Sequence, residues 1–302
     1  ITGNMKVNYK STDFDNSATA STNNVTQEGN LLLVGSNGGT KVHVEVAIDG
    51  DNSAAAGDNM RTEDVWMSTT IGDVSVKAGT WNGSDTILAK DGTRTAGNWV
   101  LGTSVAGAAI SVEGDSNASA TKVTAKGDIA GVSTKYVMFG ADATTGKTKN
   151  ELYLSTDVAG FGVTYAMIDS KATTSDAAAF TISKEFNGVT VSYSDVDADA
   201  SYTVTGDTAA FGDAAAIGNA GMKVGDDATS IKVATSMAGN TVSARFVQVD
   251  GADATNDADV NTLTVTRPLA AGTTLEVTYT DTDMTGNTYD KTVLDMELAV
   301  KF

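Results

Sequence analysis

The chain has no cysteine, one proline, one histidine and no long apolar run. Without cysteine there are no disulfides, thiolate metal sites or cysteine nucleophiles. The single histidine, His43, supplies neither an imidazole ligand cluster nor an evident catalytic triad. The densest apolar run, Leu31-Leu32-Leu33-Val34, falls far short of the roughly 18 residues a membrane-spanning helix needs. That leaves strands open as a means of crossing, since a β-barrel hides its apolar surface in alternation. No phosphate loop or dinucleotide fingerprint is present. The spacing Gly160-Phe161-Gly162 lies inside a strand pattern with no helix after it. Basic charge is scarce: 20 Lys+Arg against 38 Asp+Glu give a formal net charge of −18. Nucleic acid is thereby excluded as a partner, because phosphate binding needs a basic face to release counterions.

What remains is a β-sheet composition. The 302 residues carry 31 glycines among many Ala, Thr, Asp, Ser and Val, which suits short strands punctuated by turns. Successive side chains of a strand point to opposite faces. At the end of the chain Leu294, Met296, Leu298, Val300 and Phe302 share one face, and Asp295, Glu297, Ala299 and Lys301 the other. The same alternation runs through Met5-Val7-Tyr9 against Lys6-Asn8-Lys10. It recurs in Val42-Val44-Val46-Ile48 against Lys41-His43-Glu45, and in Leu275-Val277-Tyr279 against Glu276-Thr278-Thr280. His43 thus sits on a polar strand face between Lys41 and Glu45.

Tight glycine turns separate these runs at Asn37-Gly38-Gly39, Gly72-Asp73, Ala106-Gly107, Ala130-Gly131, Ala159-Gly160, Asn187-Gly188, Ala238-Gly239 and Ala271-Gly272. Glycine reaches positive φ cheaply, as a tight hairpin requires. Between turns the chain crosses polar Asp/Ser/Asn/Thr loops, the longest over about 197–230. Short turns at one end and longer loops at the other predict one all-β domain, 1–302, folded as a transmembrane antiparallel up-and-down barrel. Eight turns give 18 strands; reading the weak hairpin at Ile110 to Val112 as a loop gives 16. Tyr136, Tyr165 and Tyr193 each follow a turn glycine by five residues. With Tyr9, Tyr279 and Phe302 they are placed as aromatics at a membrane interface. Trp66, Trp81 and Trp99 are given the same anchoring role in preference to a sugar-stacking slide.

The terminal Phe302 on an amphipathic strand, the repeated Ala-Gly or Asn-Gly turns and the acidic loops resemble the general porins of Gram-negative bacteria. That resemblance covers nearly the whole chain. It implies an outer-membrane pore without enzymatic activity, usually a homotrimer, passing ions and small hydrophilic solutes among outer-membrane lipid and lipopolysaccharide. It also implies a signal peptide removed before Ile1. General porins narrow the pore with a long third loop, whereas the third loop here, about 82–96, is of ordinary length. The longer seventh loop, with Asp199, Asp207, Asp213, Lys223, Asp226 and Asp227, is a candidate for the constriction, for an outer cap, or for one more hairpin around Tyr202 and Val204.

Strand parity assigns to the lumen the cations Lys6, Lys41, Lys77, Lys122, Lys126, Lys232 and Arg245, and the acids Glu45, Glu113, Glu151, Glu276, Asp295 and Glu297. These nearly balance, so most of the net negative charge falls to the loops, and an acidic mouth would give a weak cation preference. No cofactor is implied beyond loop-bound Ca2+, for which Asp195, Asp197, Asp257 and Asp259 are candidates. None of them continues into a calcium loop with a distal bidentate Glu, so solvated loop acids are the first reading. The competing function is a secreted, calcium-binding β-rich surface protein of S-layer or adhesin type, which shares the acidic, cysteine-free composition.

Overall fold

Two-residue turns force consecutive strands to lie side by side and antiparallel, and the architecture follows from repeating that step around a ring. A computed structural model describes residues 1–15, 19–49, 60–82, 94–114, 121–141, 148–170, 176–199, 227–251, 257–285 and 290–302. Its strands are β1 (Thr2–Phe14), β2 (Thr22–Asn37), β3 (Thr40–Asp49), β4 (Arg61–Ile71), β5 (Val74–Asn82), β6 (Arg94–Val105), β7 (Ala108–Gly114), β8 (Lys122–Ile129) and β9 (Val132–Phe139). They continue with β10 (Lys149–Val158), β11 (Phe161–Ser170), β12 (Ala177–Phe186), β13 (Val189–Ala198), β14 (Asp227–Met237), β15 (Asn240–Asp250), β16 (Ala258–Ala270), β17 (Thr273–Met284) and β18 (Lys291–Lys301). Each strand pairs with its neighbours in sequence, and β1 pairs with β18, so 18 strands close one antiparallel barrel. The 16-strand alternative fails at β7, whose short run pairs fully with β6 and β8.

The turns explain the register. Ala106, Ala130, Ala159, Asn187 and Ala238 have φ of 51–54°, and the glycine after each also has positive φ, the type I′ signature. Four of these five positions carry Ala in a left-handed conformation that usually costs an L-residue about 1 kcal/mol. The β16–β17 turn differs. Only Gly272 has positive φ, and a Cβ there would lie 2.5 Å from the Lys301 carbonyl oxygen. The register shifts between Pro268 and Ala270, which is how a strand accommodates proline's missing N–H.

At the seam, Gly3 N–H donates to Phe302 O at 2.8 Å and Phe302 N–H donates to Gly3 O at 3.0 Å. The Phe302 ring lies over Gly3, where a Cβ would come within 2.7 Å of its Cζ. The terminal aromatic therefore covers the pairing that closes the sheet.

At the other end, aspartates tie off the rim. The Asp176 carboxylate accepts from Ser170 N–H at 2.9 Å, and its carbonyl accepts from Asp199 N–H at 2.9 Å. Asp257 does the same for Gly251 and Thr285, and Asp290 for Met284 and Asp15. Each aspartate links the ends of three strands. Asp227 adds a related clasp, accepting from Ala198 N–H at 2.8 Å. β13 runs to Ala198 and β14 starts at Asp227, so the expected loop at 197–230 gives up residues at both ends to strands.

Two outcomes test these devices by urea unfolding of the detergent-folded barrel. Ala159→Gly stabilises by about 0.5–1 kcal/mol as the left-handed strain is relieved. Asp257→Ala destabilises by about 1–2 kcal/mol, whereas Asp257→Asn, which keeps an acceptor, loses less than half of that.

Candidate functional site

Closure gives the sheet an inside and an outside, and side-chain parity decides what faces each. One set of alternating positions carries exposed large apolar groups, among them Met5, Val42, Met67, Leu101, Met138, Phe180, Phe246, Leu263 and Leu294. The opposite set carries charge. A cavity of about 940 Å3 is walled by alternate residues of β1 and β14–β18, including Lys10, Lys232, Arg245, Glu276, Asp295 and Glu297. Those positions therefore form the inner wall.

The thirteen sequence-assigned charges fall on that wall in distinct groups. Lys6 Nζ lies 3.1 Å from Glu28 and 3.8 Å from Glu297, bridging β2, β1 and β18. Asp295 accepts from the Asn8 amide at 2.6 Å. Lys122 pairs with Glu113 at 3.0 Å, and Glu151 takes Lys149 at 2.7 Å and the Tyr153 hydroxyl at 2.8 Å. Glu276 accepts from Thr266 at 2.9 Å. Three cross-strand pairs set like charges directly opposite: Lys126 with Lys135, Lys232 with Arg245, and Glu276 with Glu297. Like charges in that relation are destabilising unless water or counterions screen them.

Lys77 Nζ sits 4.4 Å from the Trp66 ring centroid and 4.0 Å from that of Trp81, with Lys41 at 5.4 Å from Trp66. His43 stacks on Trp66 at 4.6 Å, and its Nε2 is 3.8 Å from Glu45. Trp66 and Trp81 are therefore inner-wall residues, which corrects their assignment as interface anchors. The parity was available: Val65 and Met67 flank Trp66 and both face outward. Trp99 does face outward, against Gly114. Sequence reasoning also missed Glu28, Arg61, Glu63, Asp64, Lys149 and Lys291. In β2 the unbroken apolar run after Asn30 hides the parity, and in β4 a register shift opposite Glu45 resets it.

The six aromatics expected at a membrane interface occupy the apolar outer face. Tyr9 stands opposite Val25 and Met296, Tyr136 opposite Leu152, and Tyr165 opposite Phe180. Tyr193 stands between Ile182 and Ile231, and Tyr279 between Leu263 and Leu294. Phe302 is 69% exposed at the seam.

Toward the long-loop end the polarity inverts, which alternation alone did not predict. Ala166, Ile168, Ala179, Val196, Ala228, Val247, Val249 and Val260 form a buried apolar cluster on the inner face. On the outer face of the same strand ends stand Asp195, Asp197, Asp227, Asp250, Asp259 and Asp283, with Asp227 opposite Asp250 and Asp259 opposite Asp283. Among the calcium candidates, Asp195, Asp197 and Asp259 belong to this outer rim, and Asp257 is a clasp. Of the constriction candidates, Asp199 directly follows β13 and Asp227 opens β14; Asp207, Asp213, Lys223 and Asp226 lie outside the described residues.

Comparison with known proteins fits this geometry. The sequence profile of the Gram-negative porins matches residues 2–287. Among solved structures, OccAB4 of Acinetobacter baumannii superposes with a TM-score of 0.71 at 10% identity, covering 100% of this chain and 97% of that one. The outer-membrane protein opdK of Pseudomonas aeruginosa gives 0.72 at 8%, covering 100% and 98%. OprD of the same species gives 0.71 at 11%, covering 100% and 92%. No curated protein matches significantly in sequence.

The inner-wall pairs made by Lys6 and Lys122 are about one-third exposed, so they contribute little to stability. A double-mutant cycle with Glu113→Gln and Lys122→Met gives a coupling of about 0.5 kcal/mol that largely disappears in about 1 M salt; an undiminished coupling would show a dry wall.

Proposed function

Since the chain belongs to the Gram-negative porins, β-barrel channels of the outer membrane, we propose that it is a passive diffusion channel for ions and small hydrophilic solutes, weakly selective for cations. The observation that carries this reading is the set of like-charge pairs on the inner wall, Lys126–Lys135, Lys232–Arg245 and Glu276–Glu297. In a packed interior each would be strongly unfavourable. Against a column of water and mobile ions each is screened, and each offers a transient partner to a passing ion.

The acidic rim supplies the preference. Its aspartates face outward, yet a charge acts through solution over roughly a Debye length, about 10 Å at 0.1 M salt. With a formal net charge of −18, the protein gathers cations at the pore entrance, while the mixed wall beneath discriminates weakly. The outer aromatics and apolar side chains meet lipid, with the rim at the level of lipopolysaccharide, and three copies associate in the membrane. The inner-wall charges are the solute contacts. The family match and the closed wall leave no role for the secreted surface-protein reading.

Planar-bilayer recording of the detergent-purified protein tests the proposal. It yields long-lived conductance steps in threes and a small cation-directed reversal potential that shrinks as salt rises. Reversing Lys232 and Arg245 to Glu raises the cation-to-anion permeability ratio about twofold to fivefold. Silence from folded protein, or anion preference in the wild type, defeats the reading.

A further inference from the structure

His43 and Glu45 alternate on the inner face of β3. Opposite them the ladder is irregular: Val44 pairs with Val65 and Val46 with Thr62, so Glu63 and Asp64 together oppose the single Glu45. A bulge of this kind re-aims side chains that a regular strand would send to opposite faces. Glu63 is engaged by Arg61, 3.1 Å away. Asp64 joins His43 and Glu45, and one ligand atom from each of the three lies within 4.8 Å of the others.

The imidazole nitrogen facing this group is buried and has no hydrogen-bond partner. Such an atom ordinarily costs about 1–3 kcal/mol. The Trp66 stack, at an interplanar angle of 15°, fixes the ring in that orientation. Two carboxylates and an imidazole nitrogen without a hydrogen bond converge, and a divalent cation relieves the carboxylate repulsion and gives the neutral imidazole a partner.

We propose that His43, Glu45 and Asp64 form a binding site for a zinc-class divalent transition-metal ion on the inner wall of the barrel. One imidazole and two carboxylates are ligand types zinc accepts, and three protein ligands leave a fourth position for water, as in an open zinc site. The imidazole selects against calcium and magnesium, which prefer oxygen alone. Ligand atoms around a tetrahedral zinc are about 3.4 Å apart, so the 3.8 Å between His43 Nε2 and Glu45 closes by a few tenths of an ångström. The nearby amines are held aside on aromatic faces: Lys77 between Trp66 and Trp81, Lys41 over Trp66. Lys77 also interacts with the charge of Asp64 and competes with the metal for it. The site is defined by its ligands and stands whether or not the barrel conducts.

The test is Zn2+ titration of the detergent-folded barrel against a chromophoric chelator, with Co2+ quenching of tryptophan emission as a second readout. One equivalent of Zn2+ binds the wild type. His43→Gln and Glu45→Gln each weaken it at least tenfold, Asp64→Asn weakens it as well, and the rim variant Asp259→Asn leaves it unchanged. Co2+ at the site quenches Trp66 and the neighbouring Trp81, and His43→Gln removes that quenching together with the affinity. Wild-type affinity in His43→Gln, or Co2+ quenching that survives it, would overturn the site and assign the binding to rim carboxylates.

Discussion

Backbone hydrogen bonding is the constraint on which everything else rests. In a hydrocarbon setting an unpaired N–H or C=O finds no water, so a sheet that crosses a membrane cannot keep an edge. The chain meets this by bringing β1 back to β18, where Gly3 and Phe302 exchange both main-chain bonds beneath an aromatic ring. Tight turns hold the register on one side of the wall and aspartate clasps hold it on the other. No disulfide assists, and none is needed when each strand is bonded along both edges.

Once the wall is closed, alternation divides the chemistry between two solvents. Apolar and aromatic groups face outward where lipid lies, and charges of both signs face a water-filled interior. The inner wall is not a neutral lining. It has sectors of paired charge, such as Lys6 between Glu28 and Glu297, and sectors where like charges stand side by side. Above the aromatic band the division reverses, with small apolar residues inside and aspartates outside.

Much of this could be read from the residues, because two signals are strictly local. All eight glycine turns are where Gly-containing dipeptides interrupt alternation, so the strand count follows directly. The terminal stripe Leu294 to Val300 is likewise local. What could not be read depends on register across strands. The convergence of Asp64 with His43 and Glu45 rests on an irregularity between β3 and β4 that no single strand reveals. The clasps were hidden for another reason: an aspartate at the edge of a polar loop looks like any solvated acid until the N–H it accepts is known. The inner apolar cluster was missed because its Val and Ile keep the strand's alternation while the aspartates beside them, such as Asp195 and Asp259, take the outward parity, so the pattern alone does not say which face is inside.

Asp176, Asp257 and Asp290 also separate the wall from whatever connects its strands. Each closes the rim using atoms of the strand ends themselves, so the ladder is complete before the intervening segment begins. Such a rim tolerates turnover in the connecting segments. Segments of other length or composition can join the same strand ends without passing strain to the barrel. The protein is thus divided into a self-closed wall and the segments joined to it, with three aspartates as the joint between them.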